Sequence, residues 1–128
     1  MSSAPEPSDE ELIEVIAYAR SLFGTEMNIQ APPNLTGDIL FRLIRAGIND
    51  WGGVSPVTND AVNPEKSWPL LSELQDKTEA AGRILKERLP VYPKYISDTF
   101  LHPRVRKAAE RLTDGQGYVK NVLDGRHV

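Results

Sequence analysis

The sequence predicts an α/β fold built on a small parallel sheet, and three observations carry that expectation. Amphipathic helical stretches alternate with short apolar runs, and glycine or proline punctuates the boundaries at Gly24, Pro32-Pro33, Gly47 and Gly82. The resulting order is helix, strand, helix, strand, helix, strand, helix, which is the alternation that generates parallel strands joined by right-handed crossovers. Three strands leave two open sheet edges, so the sheet looks incomplete by itself.

Ser8 followed by Glu11 forms a capping box, and Leu12, Val15, Ile16, Ala19, Leu22 and Phe23 then recur at helical spacing until Gly24, predicting a helix near 8–23. Met27 to Ala31 alternates apolar and polar residues and stops at Pro32-Pro33, where amide hydrogens are missing, so a first strand is expected near 27–31. Thr36 is a candidate cap for a helix near 36–46, in which Ile39, Leu40, Leu43 and Ile44 form one stripe and Gly47 ends the run. A second strand is expected near 48–51, followed by a long loop rich in Pro, Asn, Asp and Ser that runs to about Ser67. Leu71, Leu74, Thr78 and Ala81 predict a helix near 68–81 with Pro69 in its first turn. Ile84 to Leu89 gives a third strand near 84–89, and His102-Pro103 opens a helix near 103–112. Residues 113–128 have little periodicity and read as a loosely ordered tail behind a domain of residues 1–112.

At 128 residues the chain suffices for one domain with a core but not for a complete (β/α)₈ barrel, which takes about 250 residues. Hydrophobic residues make up 40% and charged residues 26%, and no apolar run reaches the roughly 20 residues of a membrane helix, so no membrane association is expected. The first residues have neither a basic segment nor an apolar core, which points to the cytoplasm. The net charge of -3, with Glu110 interrupting the basic last helix, argues against nucleic acid as a partner. There is no cysteine, hence no disulfide, catalytic thiol or thiolate metal site, and neither His102 nor His127 has a metal-ligand spacing. Phosphate loops, nucleophile elbows and HExxH helices are also absent.

In parallel α/β architectures ligands gather at the carboxyl ends of strands, where loops converge on a rigid frame. That rule selects Gln30 and Asn34 after the first strand, Asn49, Asp50, Gly52 and Gly53 at the second, and Arg88 at the end of the third. The glycine pair reads either as a tight turn with positive φ or as backbone amides approached closely by a ligand. Asp50 can cap a turn or accept a substrate hydrogen bond, and Arg88 requires an anion or carboxylate, either a structural partner or a substrate group. Trp51 reads as packing.

Several segments taken together carry a resemblance: Ala4 to Ser8, Asn28 to Leu35, Ala46 to Thr58 (AGINDWGGVSPVT), Asn63-Pro64-Glu65 and Arg88 to Pro93. In order and spacing they resemble the carboxyl-terminal portion of 7,8-didemethyl-8-hydroxy-5-deazariboflavin synthase, either its radical S-adenosylmethionine subunit or the corresponding half of the fused FO synthase. The resemblance implies the last three β/α units of a radical SAM partial TIM barrel. It also implies lyase chemistry that forms the deazaflavin chromophore from a hydroxybenzyl-ribityliminouracil intermediate. S-adenosyl-L-methionine and a 4Fe-4S cluster are the implied cofactors, but the cluster loop C-x₃-C-x₂-C is missing here, so the chain alone is expected to be inactive and its partner to be the amino-terminal half of the barrel. Under the same resemblance Gln30, Asn34, Asn49, Asp50 and Arg88 point toward adenosyl group or substrate. Two alternatives stand beside it, a noncatalytic module that completes a partner barrel and an unrelated α/β interaction domain.

Overall fold

The computed structural model describes residues 5–55 and 57–120. They divide into two compact units that part between Leu85 and Lys86.

In the first unit, α1 (Asp9–Phe23) begins at the expected capping box. The Ser8 amide donates to Glu11 Oε2 at 2.8 Å while the Glu11 amide donates to Ser8 Oγ at 3.3 Å. A 3₁₀ turn, Gly37–Ile39, leads into α2 (Leu40–Ala46). Thr36 does not cap it, because its hydroxyl donates instead to the carbonyls of Pro32 and Pro33, both at 3.3 Å. Two prolines in a row leave carbonyls facing no ladder partner, and the nearest hydroxyl satisfies them. The third helix, α3 (Leu71–Ala80), starts later than the spacing suggests, with Pro69 lying outside its first turn.

The core joins these helices. Leu40, Leu43 and Leu74 are almost wholly buried, and they pack with Ile16, Ile39, Ile44, Ile48 and Trp51, with Leu12, Ile13 and Leu85 at the margin. Each fully buried leucine contributes about 1.5–3 kcal/mol relative to exposure. Trp51 serves this core, and its indole N–H donates to the Thr78 hydroxyl at 3.2 Å while that hydroxyl donates to the Leu74 carbonyl at 2.6 Å.

The expected parallel sheet is reduced to one rung, a correction to the fold class expected from the sequence. Among the described residues no strand forms, and the first two apolar runs meet only at a parallel bridge between Gln30 and Asp50. The Asn49 amide donates to the Ile29 carbonyl at 3.0 Å and the Ala31 amide to the Asp50 carbonyl at 3.2 Å. Growth of the ladder stops because the Asn49 side chain takes the Ile29 N–H at 2.8 Å and because Pro32 and Pro33 carry no N–H to extend it. The third run forms no parallel strand at all. Ile84 is 78% exposed, Leu85 packs on the first unit's core, and Arg88 bridges antiparallel to Tyr118 within the second unit.

The second unit contains a 3₁₀ turn, Pro93–Tyr95, and α4 (Pro103–Leu112), whose boundaries match the spacing and whose first turn is capped by the His102 ring accepting from the Arg104 amide at 3.3 Å. Residues 113–120, expected to begin a loose tail, are tied into a hairpin. The Asp114 amide donates to the Tyr118 carbonyl at 2.7 Å, the Val119 amide donates to the Glu87 carbonyl at 2.9 Å, and Thr113 bridges to Val119. The Asp114 carboxylate accepts from the Gln116 and Tyr118 amides, an Asx-type turn that periodicity does not register. The remainder of that expected tail, 121–128, lies outside the described residues.

One side chain organises the first unit. Arg20, near the end of α1, donates Nε to the Gly47 carbonyl at 2.8 Å, Nη1 to the carbonyls of Gly24 and Met27 at 2.6 and 2.7 Å, and Nη2 to Asn49 Oδ1 at 3.4 Å. Gly47 closes α2 in a Schellman arrangement, its amide reaching Ile44 and the Ile48 amide reaching Leu43. With φ at +122° and a Cβ position 2.6 Å from Arg20 Cγ, it has room for no side chain.

Gly47→Ala should therefore destabilise the chain by more than about 1 kcal/mol in urea unfolding, combining backbone strain with displacement of Arg20. Arg20→Lys keeps the charge but replaces a planar fork of donors by one ammonium, and is expected to cost about 1–3 kcal/mol in the same measurement.

Candidate functional site

The parallel bridge brings the ends of the first two runs together, and with them four of the sequence-selected residues. Gln30 and Asp50 are paired in the bridge itself, Asn49 precedes it and Gly52 follows it. The Gln30 side-chain oxygen lies 3.6 Å from the position a Cβ on Gly52 would take, so the amide borders the glycine turn directly.

Each of these residues has a definite local task. Asn49 is locked at both ends of its amide, since Oδ1 accepts from the Ile29 amide and from Arg20 while Nδ2 donates to Asn28 Oδ1 at 2.9 Å. Asp50 Oδ1 accepts the Gly52 amide at 2.6 Å, closing an Asx turn that orients the next two residues. Gly52 has φ of +74°, a conformation L side chains rarely adopt, so the turn itself requires glycine there. Gly53 differs. Its φ is ordinary, it is exposed, and a Cβ there would meet nothing within 4 Å, so the fold imposes no glycine at that position.

Asn34 sits beneath the long loop rather than at the open tip. It is 7% exposed, its Nδ2 donates to Asp60 Oδ2 at 2.8 Å, and its Oδ1 is buried without a donor among the described residues. Asp60 Oδ1 in turn accepts the amides of Val62 and Asn63 at 2.9 and 3.2 Å. Asn34 and Asp60 thus form a latch that holds the loop onto the end of the first run. The position of Asp60 was not legible from the sequence, where it is one of several polar residues in a loop.

Arg88 belongs to the second unit. Its guanidinium lies 4.2 Å from the centroid of the Tyr92 ring and donates to the Leu89 carbonyl at 2.8 Å. Tyr95 packs edge-on against both Tyr92 and Phe100 in the same unit. Arg20 is the functional neighbour that sequence reading missed, because an arginine late in an amphipathic helix reads as an exposed C-terminal charge. The signal that finds it is spatial, three backbone carbonyls and one amide oxygen converging on one guanidinium.

No group of three or more His, Cys, Asp or Glu among the described residues is placed to hold a metal ion. No helix is long and apolar enough to cross a membrane among those residues.

The Asp60 carboxyl lies below the usual carboxylate range, chiefly because the Val62 amide and then the Asn34 amide bond its charged form. A group depressed in this way contributes stability above its unfolded value of about 3.9 and loses it as the pH falls through its lower folded value. The NMR amide signals of Val62 and Asn63 should therefore hold steady from neutral pH down to about pH 5 and shift together on further acidification. In Asp60→Asn that shared transition should be absent; if it persists, the latch is not what titrates.

No model of a protein family matches the chain, and no solved structure matches it. Curated relatives do. The chain is 42% identical over 120 residues, 94% of its length, to the 7,8-didemethyl-8-hydroxy-5-deazariboflavin synthase of Methanopyrus kandleri, of which this covers 36%. It is 49% identical over 115 residues to the enzyme of the same name from Methanothermobacter thermautotrophicus, covering 34% of it. It is 46% identical over 116 residues to the FO synthase of Streptomyces coelicolor, covering 13% of it. The chain is thus a homologue of one segment of the deazariboflavin synthases and FO synthases, spanning about a third of the first two relatives and about an eighth of the third.

Proposed function

We propose that the chain supplies the carboxyl-terminal wall of a radical S-adenosylmethionine barrel. The assembled enzyme is a lyase that forms the 8-hydroxy-5-deazaflavin chromophore from a hydroxybenzyl-ribityliminouracil intermediate. The observation that supports this most is the coincidence of the Asn49-Asp50-Trp51-Gly52-Gly53 string with the one parallel bridge among the described residues, in a segment 42–49% identical to enzymes named for that product. Alternating helices and apolar runs fit the outer part of a barrel, whose strands would pair fully only with neighbours supplied from outside this segment.

The chain's own residues fit one part of that task. Asp50 holds the turn through Oδ1 and places a carboxylate, the group type that accepts from a substrate hydroxyl or N–H, beside the bridge. The open backbone at Gly53 admits the close approach of a planar ligand. Gln30 borders the same turn with a donor and an acceptor, and Asn49 and Asn34 act by fixing backbone beneath it.

A 4Fe-4S cluster does not fit these residues, since the sequence has no cysteine and the described residues have no cluster of metal-ligating side chains. Its ligands, and the residues that generate the radical from S-adenosyl-L-methionine, would come from outside this segment, and the partner is the remaining part of the barrel.

A chimera tests this reading. With the matched segment of the Methanopyrus kandleri enzyme replaced by this chain, deazaflavin formation, followed by absorbance and fluorescence of the product, should be retained, and a folded but inactive chimera would overturn the proposal. Asp50→Ala in the active chimera should lower turnover at least about a hundredfold, roughly 2.7 kcal/mol of barrier, while shifting the thermal midpoint far less. Parallel losses of turnover and stability would make Asp50 purely structural.

A further inference from the structure

The helix α1 carries more apolar surface than its own unit covers. Leu12 and Ile16 face the core, but Val15, Tyr18 and Leu22, spaced three and four residues apart along the adjoining flank, are 65%, 70% and 62% exposed. Half-buried Ala19 links this flank to the core face, so the apolar stripe is continuous around roughly half of the helix. Beyond the flank Phe23 and Met27 are also exposed, at 54% and 45%. A surface helix of a self-contained domain ordinarily shows one apolar stripe, with polar side chains elsewhere. Here Glu10, Glu14 and Ser21 line the opposite side, while Glu11 stands at the amino-terminal end of the flank in the capping box and Arg20 turns to the end of the helix.

We infer that the Val15–Tyr18–Leu22 flank docks an amphipathic helix from the part of a deazariboflavin synthase that lies outside the segment matched here. Resting on the function proposed above, the occupant is chosen from two observations. The matched 120 residues are 36% of the Methanopyrus kandleri relative, so nearly two thirds of that chain is available to cover the flank. The flank also runs directly into the interface that α1 already makes with α2, so a helix laid beside it would extend the same layer of side-by-side helices. Exposed Glu14 at the rim favours an occupant that carries lysine or arginine beside its apolar stripe.

The test is co-expression of this 128-residue chain with the Methanopyrus kandleri enzyme lacking its matched segment, followed by light scattering on the purified complex and titration calorimetry. The expected result is a one-to-one complex that the double substitution Tyr18→Glu and Leu22→Glu weakens at least about tenfold. Because both side chains are already exposed, circular dichroism should show an unchanged helix content and unfolding midpoint; should the double variant fail to fold, Tyr18→Ser gives the same comparison with a smaller change. Equal binding by wild type and variant would overturn the docking face while leaving the proposed function intact. A homodimer of this chain weakened by the same substitutions would overturn it in favour of a second copy. Absence of binding by either form also overturns it, and activity of the chimera described above then decides separately whether the proposed function stands.

Discussion

The guanidinium of Arg20 is the constraint on which the first unit depends. It reaches carbonyls at the end of α1, in the following turn and at the end of α2, and it touches the amide of Asn49. Helix ends leave carbonyls without intrahelical partners, and one charged fork satisfies two of these ends together. The consequence propagates by short steps. Gly47 must stay bare for Arg20 to pass, the Schellman closure at Gly47 turns Ile48 into the core, and the backbone then presents Asn49 and Asp50 to the Ile29–Ala31 run. The motif with the strongest family resemblance is thus aimed by a residue outside it.

The candidate site is held from below by side chains doing backbone work. Asn49 Oδ1 takes the hydrogen bond that a neighbouring carbonyl would accept in a regular ladder, and Asp50 takes the amide of Gly52. Both substitutions of side chain for main chain fix the tip without extending the sheet. Asn34 does the same for the long loop, at the cost of a buried oxygen with no donor among the described residues. The two glycines divide between the two roles weighed for them: Gly52 is required by its positive φ, whereas Gly53 is free of any steric demand from the fold, which is where a ligand requirement has room to act.

The second unit is stabilised differently. Its buried apolar content is small, with Ala109 its buried hydrophobic residue among those described, and it relies on rings and charges. Arg88 stacks on Tyr92, Lys86 on Tyr118 and Lys94 on Tyr95, and Tyr95 packs edge-on against Phe100. Gly117 lets the hairpin turn approach Pro93, with a Cβ position only 2.7 Å from that ring. Contacts of this kind are individually worth about 0.5–1.5 kcal/mol, which suits a unit without a large core.

The sequence by itself determined the helices and the likeness to one segment of the deazariboflavin synthases. The capping box at Ser8 and Glu11, the His102-Pro103 start and the 3.6-residue stripes are local signals, and local hydrogen bonding and burial of one face enforce them wherever the helix packs. The AGINDWGGVSPVT string was legible for the same reason, as a fixed order of residues that owes nothing to packing. What only the tertiary structure decided was pairing. Whether an apolar run becomes a strand depends on a partner brought from elsewhere in the chain, so 27–31 and 48–51 kept a single rung and 84–89 divided between two units. Arg20 and Asp60 were illegible for the same physical reason, because a guanidinium or carboxylate acquires its role from carbonyls and amides that converge on it only once distant segments are packed.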